Sequence, residues 1–466
     1  MQTSSQRVAA FVADCDSALI PTPVRRAAQL HALDALGCGL AANALGEAPW
    51  VTSAVLESKT SGPAAAIGVP YGLPETDAAF VNGTLCHALD FDDTDPHSVV
   101  HVSAAVTPAA LAAGQAHGAS GETLLAALIV GNEVSVRIGA AAGGAFHARG
   151  FHPTGVCGVF GATAAAARVR GLDPATTAHA LGIAGSMASG LLEFLSDGAE
   201  TKRLHPGWAG QAGLSAARLA AHGATGPATV FEGDRGFFAT YLHGADYDLD
   251  GQLADLGKRW QTPRIAFKPY PACHYVHAPV DALAQIQRES GLRAEEVDSI
   301  VAFSDATGVA LVLEPASDKL TPRTAYNAKF SLPYCLATQL VRGTVDVSSF
   351  VDARIGDPDV LALTPRVGYE LRQYSPRPDA FGGGVRVLTK DGRTFEAELR
   401  HQRGGMENAL RDEEVLEKYR TNASLALDAN DLVALELAML SLGEQSDVTF
   451  ADVLGNARPG AANAAV

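Results

Sequence analysis

Between Asn82 and Ser103 the chain reads NGTLCHALDFDDTDPHSVVHVS, and from His87 to His101 it sets seven ionisable side chains and the Thr94 hydroxyl within fifteen positions. The flanking segments are mostly Ala, Val, Leu and Gly. Imidazoles beside carboxylates are the groups that move protons near neutral pH. A solvated acidic loop would share this composition, because charge runs usually face water. Polar side chains set between Ala-rich helices must instead find partners or border a wet cleft, so chemistry is the stronger expectation.

Four more polar clusters fall on predicted breaks between helices or near a change of character after Pro263. They are Phe151 to Thr154 around His152, Thr201 to Pro206 with Lys202, Arg203 and His205, Lys268 to Pro271 leading to His277, and Arg323 to Tyr334. In a chain of net charge −16, cations gathered at such junctions can build a local positive pocket that suits a small polycarboxylate. Each cluster also has a plain structural reading. His152 before a proline could cap a helix, Lys202 and Arg203 could meet the negative end of a helix dipole for about 0.3–1 kcal/mol, and Lys268 could anchor a linker. The four aspartates from Asp90 to Asp95 could hold Mg²⁺ for a diphosphate substrate, but that chemistry wants a second acidic cluster on a facing helix, and the sequence offers none. A non-catalytic helical interaction protein would leave the junction histidines and lysines without a role.

The elements that must position these residues read mainly as helices. At 466 residues the chain exceeds one ordinary core, and its 47% apolar content with only 6% aromatics and 47 glycines points to closely packed helices of small residues. Helical spacing covers 24–42, 76–89, 103–117, 121–139, 154–170, 174–185 and 208–221, with no long alternating strand before about 295. The motif therefore sits where the helix 76–89 breaks. Gly155, Gly158 and Gly161 lack the preceding strand that a dinucleotide loop requires and read as a helix-packing face. After Pro263 a helix at 277–290, a strand at 297–303 and a hairpin around Asp391-Gly392 predict a smaller α+β domain. The expected division is an all-helical domain at 1–265, an α+β domain at 266–402, helices at 403–457 returning to the first domain, and a frayed tail at 458–466.

Six scattered cysteines without a CxxC pair argue against a disulfide framework or a zinc knuckle and fit a reducing cytoplasm. The acidic balance disfavours nucleic acid. No leader pattern is visible, and the most apolar run, 155–167, is too short to span a bilayer, so a cytoplasmic protein with no membrane partner is expected.

HALDFDDT at 87–94, HVSAAVTPA at 101–109, GFHPTGVCGVFGA at 150–162, TKRLHPGWA at 201–209 and KPYPACHYVHAPVDA at 268–282 resemble, in order along nearly the whole chain, the signature segments of the MmgE/PrpD family. The group includes 2-methylcitrate dehydratase, cis-aconitate decarboxylase and iminodisuccinate epimerase. The resemblance implies a large all-helical domain with an inserted α+β lid, a homodimer, and a site between the domains that uses no metal or organic cofactor. It matches Asp90, Thr94, His101, His152, Lys202, Lys268 and Tyr334 to site positions, with His277 a further signature histidine. The stretch DPHSVV leaves His97 competing with His101, and the following VSAAVTPA favours His101.

Reactions of this group make or break a bond at the carbon beside a carboxylate, through a carbanion-like intermediate that cations must stabilise. Lys202, Lys268 and Arg203 suit the clamp, His101 and His152 the proton transfer, Asp90 the orientation of an imidazole, and Thr94 or Tyr334 a hydrogen bond to substrate or a proton for a leaving hydroxyl. The first expectation is a hydro-lyase acting on a small hydroxylated di- or tricarboxylate, the second a carboxy-lyase of cis-aconitate type, and the third an epimerase.

Overall fold

The computed structural model describes residues 2–374 and 380–459. The chain forms two compact units, Met1–Ile265 with Arg411–Val466, and Ala266–Leu410. The tail expected to fray lies, from 460 onward, outside the described residues.

The first unit runs α1 (Ser4–Asp14), α2 (Thr22–Ala44), α3 (Pro49–Leu56), β1 (Ala64–Ala66), β2 (Val69–Leu73), α4 (Glu75–Ala88), α5 (Val102–His117), α6 (Gly121–Ala141), α7 (Ala145–Ala148), α8 (Pro153–Val169), α9 (Pro174–Gly185), α10 (Thr201–Ala221), α11 (Phe237–Leu242) and α12 (Leu249–Leu253). The helix starts carry ordinary signals. Ser120 caps α6 through Thr123 N at 3.2 Å, and Asp173 caps α9 through Thr176 N at 2.7 Å with Pro174 in the first turn. The small antiparallel hairpin β1–β2 corrects the expectation that this half is purely helical; three alanines and a five-residue strand give too short a pattern to read.

Small residues let the helices close on one another. An added Cβ on Gly161 of α8 would stand 2.7 Å from the Gly131 carbonyl of α6, so the glycine face packs helix on helix. Gly83 of α4 and Gly207 of α10 meet in the same way, 2.8 Å from such a Cβ to the facing Cα, and this crossing brings the start of α10 beside the end of α4. Among the described residues one helix, α6, is long and apolar enough to cross a membrane, longer than the apolar run read at 155–167. It is 94% buried inside this unit and carries Glu133 and Arg137, which marks it as a core helix.

The second unit holds α13 (His277–Ser290), the helix Leu332–Arg342 and a four-stranded sheet ordered β4-β3-β5-β6, with β3 (Val297–Ser304), β4 (Val367–Leu371), β5 (Gly383–Thr389) and β6 (Thr394–Leu399). β3 runs parallel to β4, with Ile300 opposite Val367, and antiparallel to β5, with Ala302 opposite Val385. The hairpin β5–β6 turns at Gly392, whose φ of +87° glycine adopts without a Cβ clash. Val280, Leu283, Ile300, Leu336 and Val385 belong to one apolar core in this unit. The unit extends to Leu410 because the turn around Gly404 returns to its own start, accepting a bond from Phe267 N at 3.0 Å. The chain re-enters the first unit through the helices Asp412–Ala423 and Ala429–Leu440, the former packing on α2.

Candidate active site

The motif begins where α4 ends. Asp90 adopts a left-handed conformation, φ +53°, which Asp tolerates better than most residues, and the chain turns back on the last turn of the helix. Asp92 is thereby brought to His87, with Oδ2 2.8 Å from Nδ1. The same oxygen stands 3.3 Å from His101 Nδ1, which also lies 3.1 Å from Thr94 Oγ1. One carboxylate thus serves two imidazoles. Burial alone would push the Asp92 carboxyl up, but the His87 and His101 imidazoles outweigh it and hold the group well below the usual carboxylate range. Asp92 stands between the two imidazoles, while Asp90 Oδ1 is paired with Lys202 Nζ at 2.8 Å.

A further layer fixes this loop. Asp93 accepts from Ser103 N at 3.1 Å and, through Oδ2, from Ser103 Oγ at 2.5 Å, and His31 Nδ1 of α2 stands 2.9 Å from the same Oδ2. Lys418 donates to the Phe91 carbonyl at 2.7 Å and pairs with Asp34 at 2.8 Å. Val99, a β-branched residue, sits at φ +57°, a strained conformation two residues before His101.

His101 and His152 are the residues immediately before α5 and α8, and neither side chain caps its helix. The two starts are tied by His101 N donating to Thr154 Oγ1 at 3.0 Å. His152 is fixed by its own N–H to Gly190 O at 2.9 Å and by Nδ1 against His205 Nδ1 at 2.9 Å. The His87 and His101 ring centroids are 4.5 Å apart, His87 and His152 5.6 Å, and His101 and His152 6.1 Å. Burial, then the neighbouring His205, His87, Lys202 and His101, pushes His152 well below the ordinary imidazole value. Burial, with His87 and Lys202, takes His205 down to about 4. Both effects favour the neutral form of His152 and His205.

α10 starts at Thr201, ahead of the predicted 208, so Lys202, Arg203 and His205 lie inside the helix, Lys202 and Arg203 in its first turn. Cations there oppose the helix dipole, which removes the structural reading given to them from sequence. Lys202 is held by Asp90, whereas Arg203 pairs with Glu47 at 2.9 Å and Glu200 at 2.5 Å. The guanidinium is thus bound to two acids of its own, apart from the Asp90–Lys202 pair. His97 lies 3.5 Å from Arg264, and it is His101 that joins the other imidazoles.

Lys268, His277 and Tyr334 belong to the second unit. Lys268 is 2% exposed, and His277 Nε2 stands 3.1 Å from the Ala272 carbonyl. The Tyr334 hydroxyl donates towards Ser349 O at 2.7 Å and lies 3.3 Å from Arg354 O, with burial pushing its pKa up to about 12. That hydroxyl is held by two carbonyls of its own unit. Arg323 is exposed and paired with Asp318 at 3.2 Å.

His87, His31, Asp92 and Asp93 had no assigned part in the reaction from sequence, the two aspartates entering only as candidate Mg²⁺ ligands. The five-residue step from His87 to Asp92 across a helix end was the available signal, since only a reversal at Asp90 brings the two together.

Models of the MmgE/PrpD N-terminal domain and MmgE/PrpD C-terminal domain match residues 6–250 and 270–441. The chain is similar to a human cis-aconitate decarboxylase, 31% identical over 388 residues that span 82% of this chain and 79% of that protein. It is also similar to an Aspergillus terreus cis-aconitate decarboxylase, 29% identical over 458 residues and 92% and 91% of the two chains, and to a cis-aconitate decarboxylase-like protein of Aspergillus oryzae, 28% identical over 450 residues and 92% of each. With both domain models covering most of the sequence and the signature histidines gathered about Asp92, this chain belongs to the MmgE/PrpD family.

Proposed function

We propose that the protein is a carboxy-lyase that removes CO₂ from a small unsaturated tricarboxylate of the cis-aconitate kind. The reading rests on one observation, the gathering of His101, His152 and the Asp90–Lys202 pair into one buried cluster in the first unit. The similarity to cis-aconitate decarboxylases supports this choice over the hydro-lyase that the sequence reading ranked first.

Chemistry of this kind breaks a carbon–carbon bond, releases CO₂ and leaves an electron pair on carbon that must be spread and then protonated. The starts of α5, α8 and α10 come together here, so the positive ends of three helix dipoles join the Lys202 charge in favouring a polyanion. Burial strengthens every such interaction relative to water. The two histidines divide the work. Asp92, ionised beside His101, supports an imidazolium there, which donates the proton to carbon, while His152 stays neutral and hydrogen-bonds substrate. Thr94, 3.1 Å from His101 Nδ1, keeps that ring in register. The family resemblance matches Lys268 to a site position and its charge suits a carboxylate clamp, so Lys268→Ala is expected to leave a folded protein with little turnover.

The test is incubation with cis-aconitate, citrate, 2-methylcitrate and iminodisuccinate, following CO₂ release and the products by NMR. CO₂ in step with loss of cis-aconitate is expected. Alkene formation from 2-methylcitrate without CO₂ would replace this reading with a hydro-lyase, and configurational change at iminodisuccinate would replace it with an epimerase.

A further inference from the structure

We infer that His87, His101 and His152 form a site for a borderline transition-metal ion, Zn²⁺ or Co²⁺, and that an ion seated there excludes the carboxylate substrate. The exclusion rests on the proposed reaction; the binding does not.

Each of the three residues offers a ligand atom, and the three atoms all lie within 4.8 Å of one another, on side chains that are all buried. Bonds of about 2.0–2.1 Å from imidazole to such an ion would draw the donors to roughly 3.5 Å apart, a small rotation of each ring. The second observation concerns His87. Its ring is 1% exposed, Nδ1 is held by Asp92, and Nε2 is buried without a hydrogen-bond partner. A lone pair in that state has lost its water without gaining a partner, and a metal bond would satisfy it. The surroundings match those of histidine metal sites, where the second ring nitrogen is held by a carboxylate or another polar group. Asp92 holds His87 at 2.8 Å and His101 at 3.3 Å, and His205 holds His152 at 2.9 Å. Three nitrogens and a water complete a tetrahedral shell, and with the His101 and His152 lone pairs committed to the ion neither ring can serve the substrate.

The electrostatics make the site selective. Lys202, held by Asp90, and the three helix starts all oppose a bare cation here. Hard ions that depend on charge and several oxygens, Mg²⁺ and Ca²⁺, gain little here; ions that bond strongly to nitrogen overcome the opposing field. The neighbouring trio Asp90, Asp92 and His101 is also close enough to ligate, but its Asp90 is already engaged by Lys202.

The experiment titrates Co²⁺ into the chelator-stripped full-length protein and reads the visible d–d bands of tetrahedral cobalt, with Zn²⁺ displacement by calorimetry. One ion per chain is expected, with no response to Mg²⁺ or Ca²⁺, and at least a tenfold loss of affinity in His87→Ala. His87→Gln, which keeps a donor towards Asp92, guards against misfolding and should show the same loss. In turnover assays Zn²⁺ should raise the apparent KM for cis-aconitate, and the ratio of rates with and without Zn²⁺ should return towards one in the His87 variants; chelation by the substrate is common to all proteins and cancels. Absence of stoichiometric binding, binding unchanged in both His87 variants, or stimulation by Zn²⁺ would each overturn the proposal. Cobalt binding without decarboxylation of any substrate would uphold the site and remove the proposed reaction, so the two readings fail separately.

Discussion

Two buried polar groups in the first unit differ in what their atoms are doing. At Glu133 and Arg137 on α6, Glu133 Oε1 accepts from Gln261 N at 2.7 Å, Thr262 N at 2.8 Å and Thr262 Oγ1 at 2.9 Å. Arg137 bonds Glu133, the Gln252 and Arg259 carbonyls, and Asp255 at 2.6 Å. Apart from the Arg137–Glu133 bond within α6, these contacts tie the 252–262 segment to a core helix. Around Asp92, by contrast, His87 Nε2 and Asp92 Oδ1 are buried without a hydrogen-bond partner, and the loop carries two non-glycine residues, Asp90 and Val99, at positive φ. A polar group whose bonds are saturated by backbone is scaffold, whereas one that keeps capacity at a structural cost is suited to a ligand.

This contrast can be broken by substitution. His101→Ala should lower turnover by about 10²–10⁴-fold while the denaturation midpoint stays near that of the parent. A loss of stability as large as the loss of rate would put His101 with the scaffold. Arg137→Ala should do the reverse, costing about 3–5 kcal/mol in denaturant unfolding because Glu133 is left buried and unpaired, with turnover per folded molecule unchanged.

A third test sharpens the comparison through pH. Burial, only partly opposed by Lys418, raises Asp34 to about 6, so the folded state holds this proton more tightly than the unfolded chain. Its contribution is fully present below about 3.8 and is lost as pH rises through about 6, amounting to about 3 kcal/mol. Asp34→Asn, neutral throughout, should flatten stability against pH across that window; an unchanged slope would refute the assignment. The smallest effect expected is from Tyr334→Phe, about 1–2 kcal/mol of stability from the carbonyls left without their donor, with turnover retained. A collapse of turnover would return Tyr334 to the chemistry.

Much of this was legible in the chain itself. Helical periodicity and Gly or Pro punctuation placed α2, α4, α5, α6, α8 and α9 to within a few residues, because small apolar residues at helical spacing leave few alternatives. The β1–β2 hairpin and the start of α10 were not legible. The former is too short for a pattern, and the latter carries Pro206 within a helix whose position is set by the Gly83–Gly207 crossing.

What the amino-acid sequence determined alone was the inventory: a mainly helical fold, a family signature, and imidazoles, carboxylates and lysines concentrated at helix breaks. Only the tertiary structure decided the pairing. Asp92 took the imidazoles because the left-handed turn at Asp90 swings it back to His87 while the α4–α10 crossing gives Asp90 to Lys202. His101 joined the cluster and His97 met Arg264 because the bond to Thr154 draws the start of α5 to that of α8. Spacing along a chain fixes which groups are available, but a proton or an ion answers to distances of about 3 Å, and those are set by how helices cross.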